Sequence, residues 1–341
     1  MQEANMIPEN RWQAPVRRRV LSMTGLSVLA GALGTACDTP AEKGLAGQPA
    51  GQQRDNMLQP VRTGPADWDG VAEALGRVGD MKHDVAYHLP LPRSDLTVVS
   101  HGVTVRPALA LSSHLSFVRY SDGGSLLMGD AVVTEQELQR FIDVLHEQGI
   151  EPTALHKHLL AQTPSVWWIH LHAHGDDPVA IARGLRTAFD RTGTPEERPS
   201  TSQRPLDLDT SGIDTALGVR GTAEDGVYRN TFARRETVTE GDMVLPPGLG
   251  STTAISFQPL GRGRAAVSGD CAMVASEVQP VLKALRHAGV ELVELHHHGL
   301  RDEPRLFFTH FWATGDAVAL ARGIRPAVAA TNVVPIRNAA S

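Results

Sequence analysis

The chain carries one pattern twice, and this duplication constrains its fold more than any other feature. Leu155-His156-Lys157-His158 is followed, across Pro164, by Trp168-Ile169-His170-Leu171-His172-Ala173-His174-Gly175. Leu295-His296-His297-His298 is followed, across Pro304, by Phe308-Thr309-His310-Phe311-Trp312-Ala313-Thr314-Gly315-Asp316. Gly129-Asp130 is matched by Gly269-Asp270, Ser116-Phe117 by Ser256-Phe257, and Ala182-Arg183-Gly184 by Ala321-Arg322-Gly323. The same turn, strand and helix signals in the same order build the same unit twice. Two such units bury their apolar faces most simply against each other.

Each copy reads as strands followed by helix. Residues 87–91 and 96–100 are strand-like around the turn Pro92-Arg93-Ser94-Asp95, and residues 115–120 and 126–128 flank the hairpin signal Asp122-Gly123-Gly124. Thr134 with Glu137 forms a capping-box pattern. Leu138, Phe141, Ile142 and Leu145 then recur at helical spacing. Asp176-Asp177-Pro178 opens a second helix with carboxylates at its N-terminus. The expected class is α+β: two tandem homologous repeats, each an antiparallel-rich sheet with two packed helices, forming a pseudo-symmetric pair. The expected boundaries are a signal segment at 1–37, a flexible tether at 38–66, repeats at 67–190 and 213–330 joined by a linker at 191–212, and a tail at 331–341, frayed from Pro335.

In each histidine hairpin, period two places His156 with His158, and His170 with His172 and His174, on one face. A turn centred on Thr163 sets His156 opposite His170 and His158 diagonal to it, so that up to five imidazoles point the same way. Imidazole suits zinc, iron, nickel or copper. The expected cofactor is a divalent transition metal, zinc first. Its expected ligands are His156, His158, His170, His172 and Asp130 in the first copy, and His296, His298, His310 and Asp270 in the second. The alternative is one composite site with histidines from both copies. In either case the ligand nitrogens should converge to within about 4 Å. A purely structural role, with histidines hydrogen-bonded in the core, competes with the metal reading.

Other polar residues have simpler readings. Arg93 reads as turn chemistry or as the rim of an anion site. His88, His101 and His114, unmatched in the second copy, read as surface or satisfied core, with a role near the cluster open for His114. Cys271 reads as a buried, inert thiol, and Trp167, Trp168 and Trp312 as a stacking surface if exposed and core if buried. Asp176 is either a base beside the histidines or a helix cap.

The N-terminus adds a location. Arg17-Arg18-Arg19 precedes an apolar run over residues 20–36, ending in Gly34-Thr35-Ala36-Cys37. This order of positive region, apolar region and small residues is that of an export signal, and its last four residues resemble a lipobox. A lipid on Cys37 would tether the chain to a membrane on the periplasmic or cell-surface side. A net charge of -6 with no basic patch argues against nucleic acid. Two cysteines exclude a disulfide scaffold.

Taken together, Pro92-Arg93-Ser94-Asp95-Leu96, Met128-Gly129-Asp130, the first histidine arm and His170 through Asp176 resemble the LppY/LpqO family of bacterial lipoproteins, over roughly residues 67–330. The resemblance implies an envelope location and supplies no chemistry. The chain has Lys157 where that family commonly has Asn, and its second copy carries Ala233-Arg234-Arg235-Glu236 in place of the Pro-Arg-Ser-Asp turn. The expected function is therefore an exported, membrane-tethered envelope protein that binds a metal or an envelope ligand. The alternatives are a metal-dependent hydrolase or oxygenase, and a cell-wall or polysaccharide-binding module.

Overall fold

The computed structural model describes residues 57–196 and 205–336. The signal segment, Cys37 and the first part of the tether lie outside the described residues. Each repeat forms an antiparallel sheet with the same strand order. In the first repeat it runs Asp80–Lys82, Ala86–Pro92, Ser112–Arg119, Ser125–Thr134, Val166–Gly175, Glu151–His156. In the second it runs Thr222–Glu224, Val227–Arg234, Thr252–Gly261, Arg264–Met273, Phe307–Asp316, Glu291–His296. The fold is α+β and duplicated, as the sequence requires.

Alternation decides which neighbour each strand face meets. Leu115 and Phe117, with Leu127, Ala131 and Val133 on the next strand, face helices Asp69–Leu75, Glu135–Glu147 and Pro178–Phe189. Three helices, rather than two, therefore cover the sheet. The intervening Val118, Leu126, Met128 and Val132 face the other way, and there they pack against residues of the second repeat. The second repeat mirrors this, with helices Thr210–Leu217, Ala275–His287 and Ala317–Ala329 on its outer face. The result is four layers: helices, sheet, sheet, helices. The histidines sit on the inner faces.

Helix starts follow the local signals. The Thr134 N–H donates to Glu137 Oε2 at 2.7 Å, and Val274 N–H to Glu277 Oε2 at 2.9 Å. Asp177, not Asp176, caps the last helix of the first repeat, accepting from Val179 N and Ala180 N. Asp316 does the same for Ala319 N.

Arg93 is not an anion rim. It is fully buried, donating to Asp95, to Glu137 and to the Val132 carbonyl. Arg234 repeats every contact with Glu236, Glu277 and the Ala272 carbonyl. The second copy therefore does have the counterpart that its turn sequence hides. Each arginine ties the end of one strand to the capping glutamate of the following helix, and so fixes how sheet and helix meet.

Two boundaries differ from expectation. Part of the segment read as a flexible tether is laid against both repeats: Leu58 N–H donates to the Asp242 carbonyl and Val61 N–H to the Arg119 carbonyl, each at 2.8 Å. Val333–Pro335, read in part as fraying, pairs antiparallel with Val227–Arg234. Among the described residues no helix is long and apolar enough to cross a membrane.

Candidate metal centre

In the first histidine hairpin, His156 lies opposite Trp168, and Ala154 opposite His170. The register is two residues from the one expected, because the pairing centres on Gln162 rather than Thr163 and so closes a shorter connection. A two-residue shift keeps every side chain on its face, so His156 and His170 still point inward. The strand ends at His156, and His158 lies beyond it, stacked on Trp168 at 4.4 Å between centroids. In the second repeat, His298 stacks in the same way on Phe308. Trp168 is held by a 3.0 Å bond from its indole N–H to the Ala110 carbonyl.

Packing of the two inner faces interleaves the histidines. His156 and His296 stack at 4.0 Å between centroids, His158 approaches His310 at 3.7 Å, and His170 approaches His298 at 3.9 Å. Within repeats, His156 lies 4.7 Å from His170, and His296 lies 4.8 Å from His310. The six rings thus follow the pseudo-twofold relation of the repeats. His156, His170 and His296 form one group whose ligand atoms all lie within 4.8 Å of one another, and His156, His158 and His310 form another. Each group draws on both repeats. The expectation of one ligand set per copy is corrected: the histidines make a single composite cluster.

The spacing is slightly looser than the expected 4 Å. One pair, His156 Nε2 and His158 Nε2, is 3.0 Å apart, close to the roughly 3.3 Å between two nitrogens bound tetrahedrally to zinc. Nitrogens at the wider end of the range would have to draw inward to share an ion.

Asp130 and Asp270 flank the cluster. Asp130 lies opposite His170 on the neighbouring strand, and Asp270 opposite His310. Asp130 Oδ2 is 3.6 Å from His158 Nε2, and Asp270 Oδ2 is 3.7 Å from His298 Nε2. Neither belongs to the two three-histidine groups. Each Asp follows a glycine that close approach requires: a Cβ on Gly129 would meet Leu115 Cδ2 at 2.8 Å, and one on Gly269 would overlap the Phe311 ring. The backbone at Gly129 and at Gly269 works against burial and raises the basicity of His170 and His310.

Protonation follows from burial. Desolvation, then mutual repulsion, pushes His156, His158, His170, His298 and His310 well below the ordinary histidine value, and His296 to about 3. All six are neutral at pH 7, which is the form that binds metal. Desolvation pushes Asp130 and Asp270 well above the carboxylate range, with Asp130 adding to the shift on Asp270. Several of these buried atoms lack a protein partner: Oδ1 of both aspartates, His156 Nδ1, both nitrogens of His296, and Nε2 of His170, His298 and His310. Each would cost about 1–3 kcal/mol if left unsatisfied. A cation can take one nitrogen from each of several neutral imidazoles and a carboxylate oxygen, so the residues fit a metal.

Other expected site residues lie elsewhere. His172 is buried, but its Nδ1 is 4.0 Å from Glu240 Oε1, and burial, then Arg301, lowers its pKa to about 4. It belongs to neither group. His174 and Asp176 are exposed. Trp168 and Trp312 are core, and Trp167 is half-buried under Lys157. Cys271 is buried, and its thiol is pushed up by desolvation and by Asp270. His101 stacks on Trp312 and lies 3.7 Å from Glu291 of the other repeat.

A cavity of about 210 Å³ opens onto Asp130, Asp270, His158, His170, His298 and His310. His114 and Arg229, which the sequence did not single out as site residues, also line it. His114 is the register partner of Asp130. Extending the strand at 115–120 by one alternation would have placed it on the inner face.

The family model described as Domain of Unknown Function (DUF1259) matches residues 69–191 and again residues 211–330. The chain belongs to this family. Its two DUF1259 matches coincide with the two halves of the sandwich, so the histidine cluster lies between them. No curated protein matches the chain. Among solved structures, the trimeric bacterial microcompartment shell protein PduB aligns at 14% identity over 73% of this chain and 92% of its own, with a TM-score of 0.18. The double-ringed trimeric shell protein MSM0271 from the RMM microcompartment aligns at 13% over 60% and 81%, TM-score 0.17. EtuB from Clostridium kluyveri aligns at 13% over 74% and 89%, TM-score 0.18. Likeness at this level carries no argument about this DUF1259 chain.

Proposed function

We propose that the chain is an exported, membrane-tethered envelope protein of the LppY/LpqO type that binds one divalent transition metal, zinc first, between its two repeats. The observation that carries this reading is the convergence of histidines from both repeats into two overlapping three-histidine groups that share His156. The donors are neutral imidazoles with nearby carboxylates and no thiolate, a set that suits zinc, copper, iron or nickel. His156, His158, His170, His296 and His310 are the proposed ligands, with His298, Asp130 and Asp270 completing or supporting the set. His172 is left out, because it faces Glu240.

The tether rests on sequence: the arginine run, the apolar stretch and Cys37 in its lipobox-like setting. Membrane attachment through Cys37 leaves the folded body on the periplasmic or cell-surface side, where an envelope ligand is the expected partner.

The cavity favours a second reading, a metal-dependent hydrolase, since catalysis needs space beside the ion. A divalent ion there would supply Lewis acidity, and Asp130 and Asp270 are placed to hold or take a proton. A polysaccharide-binding role has less support, because the expected stacking surface of Trp168 and Trp312 is core. Metal analysis of the purified mature protein, with His156→Ala and His170→Ala alongside, tests the proposal. Stoichiometric metal lost in both variants supports it, and a metal-free, equally stable wild type refutes it.

A further inference from the structure

The cavity beside the histidines carries a cation that the metal reading does not use. Arg229 lines it, on the inner face of Val227–Arg234. Its Nε donates to Ser256 Oγ and its Nη2 to the Ala108 carbonyl, both at 3.0 Å. A guanidinium has five N–H donors. Among the described residues Nη1 has no acceptor, so its two N–H donors are unclaimed by the protein. Among the described residues no carboxylate forms an ion pair with Arg229. The contrast with Arg93 and Arg234 is sharp, since each of those is closed by two carboxylates.

The two repeats differ at this point. Arg229 pairs in register with Ser256, where the first repeat pairs His88 with Ser116. His114 pairs with Asp130, where the second repeat pairs Ala254 with Asp270. The cavity floor of histidines and aspartates is pseudo-symmetric, but its other walls are not. One side offers a fixed cation, anchored by Ser256 and by Ala108 of the opposite repeat. The other offers a hydrogen-bonded chain: His114 Nδ1 is 3.3 Å from His88 Nε2, and His88 Nδ1 is 3.0 Å from Ser116 Oγ. Burial lowers the basicity of both histidines, and Arg229 adds to it in a smaller measure.

We infer that this cavity binds a small oxyanion, an oxygen on the unclaimed Nη1 of Arg229 and its remainder directed toward the histidine floor. Guanidinium N–H groups make charge-assisted bonds to the oxygens of a carboxylate or a phosphate. About 210 Å³ corresponds to roughly seven water volumes at ~30 Å³ each, which limits the ligand to a small acid. Asp130 and Asp270 line the same cavity and would oppose an anion. Their compensation by a bound cation is the one part of this inference that rests on the metal proposal.

Calorimetric titration of malonate, and in parallel of inorganic phosphate, tests it. The protein is wild type, Arg229→Gln and Arg229→Lys, each with and without one equivalent of zinc, with zinc content measured after dialysis. The expected result is saturable binding of at least one probe to zinc-loaded wild type, weakened at least tenfold in Arg229→Gln and partly restored in Arg229→Lys, with zinc content unchanged. The tighter probe identifies the source as carboxylic acid or phosphate. Equal affinity in wild type and Arg229→Gln, or no binding of either probe to wild type in either form, overturns the inference. Zinc retained with binding independent of Arg229 refutes the anion site alone. Arg229-dependent binding to a wild type that retains no zinc refutes the metal proposal alone.

Discussion

The imidazole rings of His156 and His296, one from each repeat, stack at 4.0 Å with an interplanar angle of 14°. Around this pair, His158 meets His310 and His170 meets His298, so no repeat holds its histidine neighbours alone. Bonds between the repeats fix the arrangement. Thr153 Oγ1 donates to the His298 carbonyl at 2.5 Å, and Arg106 N–H donates to Gln258 Oε1 at 2.8 Å. Gln258 Nε2 returns a bond to the Thr104 carbonyl at 2.9 Å.

His172 tests the boundary of the cluster. Its ring faces Glu240, outside both histidine groups. His172→Ala is expected to keep wild-type zinc content by elemental analysis, whereas His158→Ala is expected to lower it severalfold. Equal loss in the two variants would return His172 to the ligand set.

Acid and base each destabilise the metal-free protein, through different groups. The histidines have folded pKa values below the unfolded value of about 6.5, with His296 near 3 and His88 near 4. Their contribution is present above about pH 6.5 and is lost as pH falls from there toward 3. Asp130 and Asp270 are raised, so their contribution is present below the ordinary carboxylate value and is lost as pH rises through their folded values. A cation relieves the carboxylate penalty by displacing protons from Asp130 and Asp270, and that displacement becomes easier as pH rises. The zinc-induced rise in Tm is therefore expected to grow between pH 5 and pH 7.5. A rise that does not vary over that range would speak against these ligands.

Arg93 is a stability residue. Arg93→Ala leaves Glu137 and Asp95 facing a buried gap, and breaking such a buried pair costs about 3 kcal/mol or more. Urea denaturation should show this loss, with Arg234→Ala comparable because its contacts are the same. A loss below about 0.5 kcal/mol in either variant would place the arginine with ordinary surface substitutions.

Much of this organisation is legible in the sequence, and what is not has physical reasons. Alternation places His156 with His158, and His170 with His172 and His174, on one face, and a register shift of two residues keeps His156 and His170 there. Turn length is weakly encoded, so the pairing of His156 with Trp168 was not foreseen. Docking of one sheet on the other depends on contacts between segments far apart in sequence, so a composite cluster stood only as an alternative to one site per copy. The Arg93 and Arg234 clamps escaped notice because three residues of the four-residue turn differ, although the spacing from arginine to carboxylate is kept. Arg229 is not singled out by the sequence, because nothing local announces a cavity.

Attachment to the membrane is tested at Cys37. Cys37→Ser is expected to move the protein from the membrane fraction to the soluble exported fraction and to abolish incorporation of labelled palmitate. A variant that stays in the membrane fraction would require another anchor.

The central claim is that the two repeats share one metal centre, and zinc stoichiometry in wild type and His296→Ala tests it most directly. If each repeat held its own ion, losing His296 would leave the first repeat's ion in place and halve the zinc content. The shared cluster predicts one zinc per chain in wild type and near-complete loss in His296→Ala, with folding retained by circular dichroism. Two zinc ions per wild-type chain with one surviving in the variant, or no zinc in wild type, would contradict it.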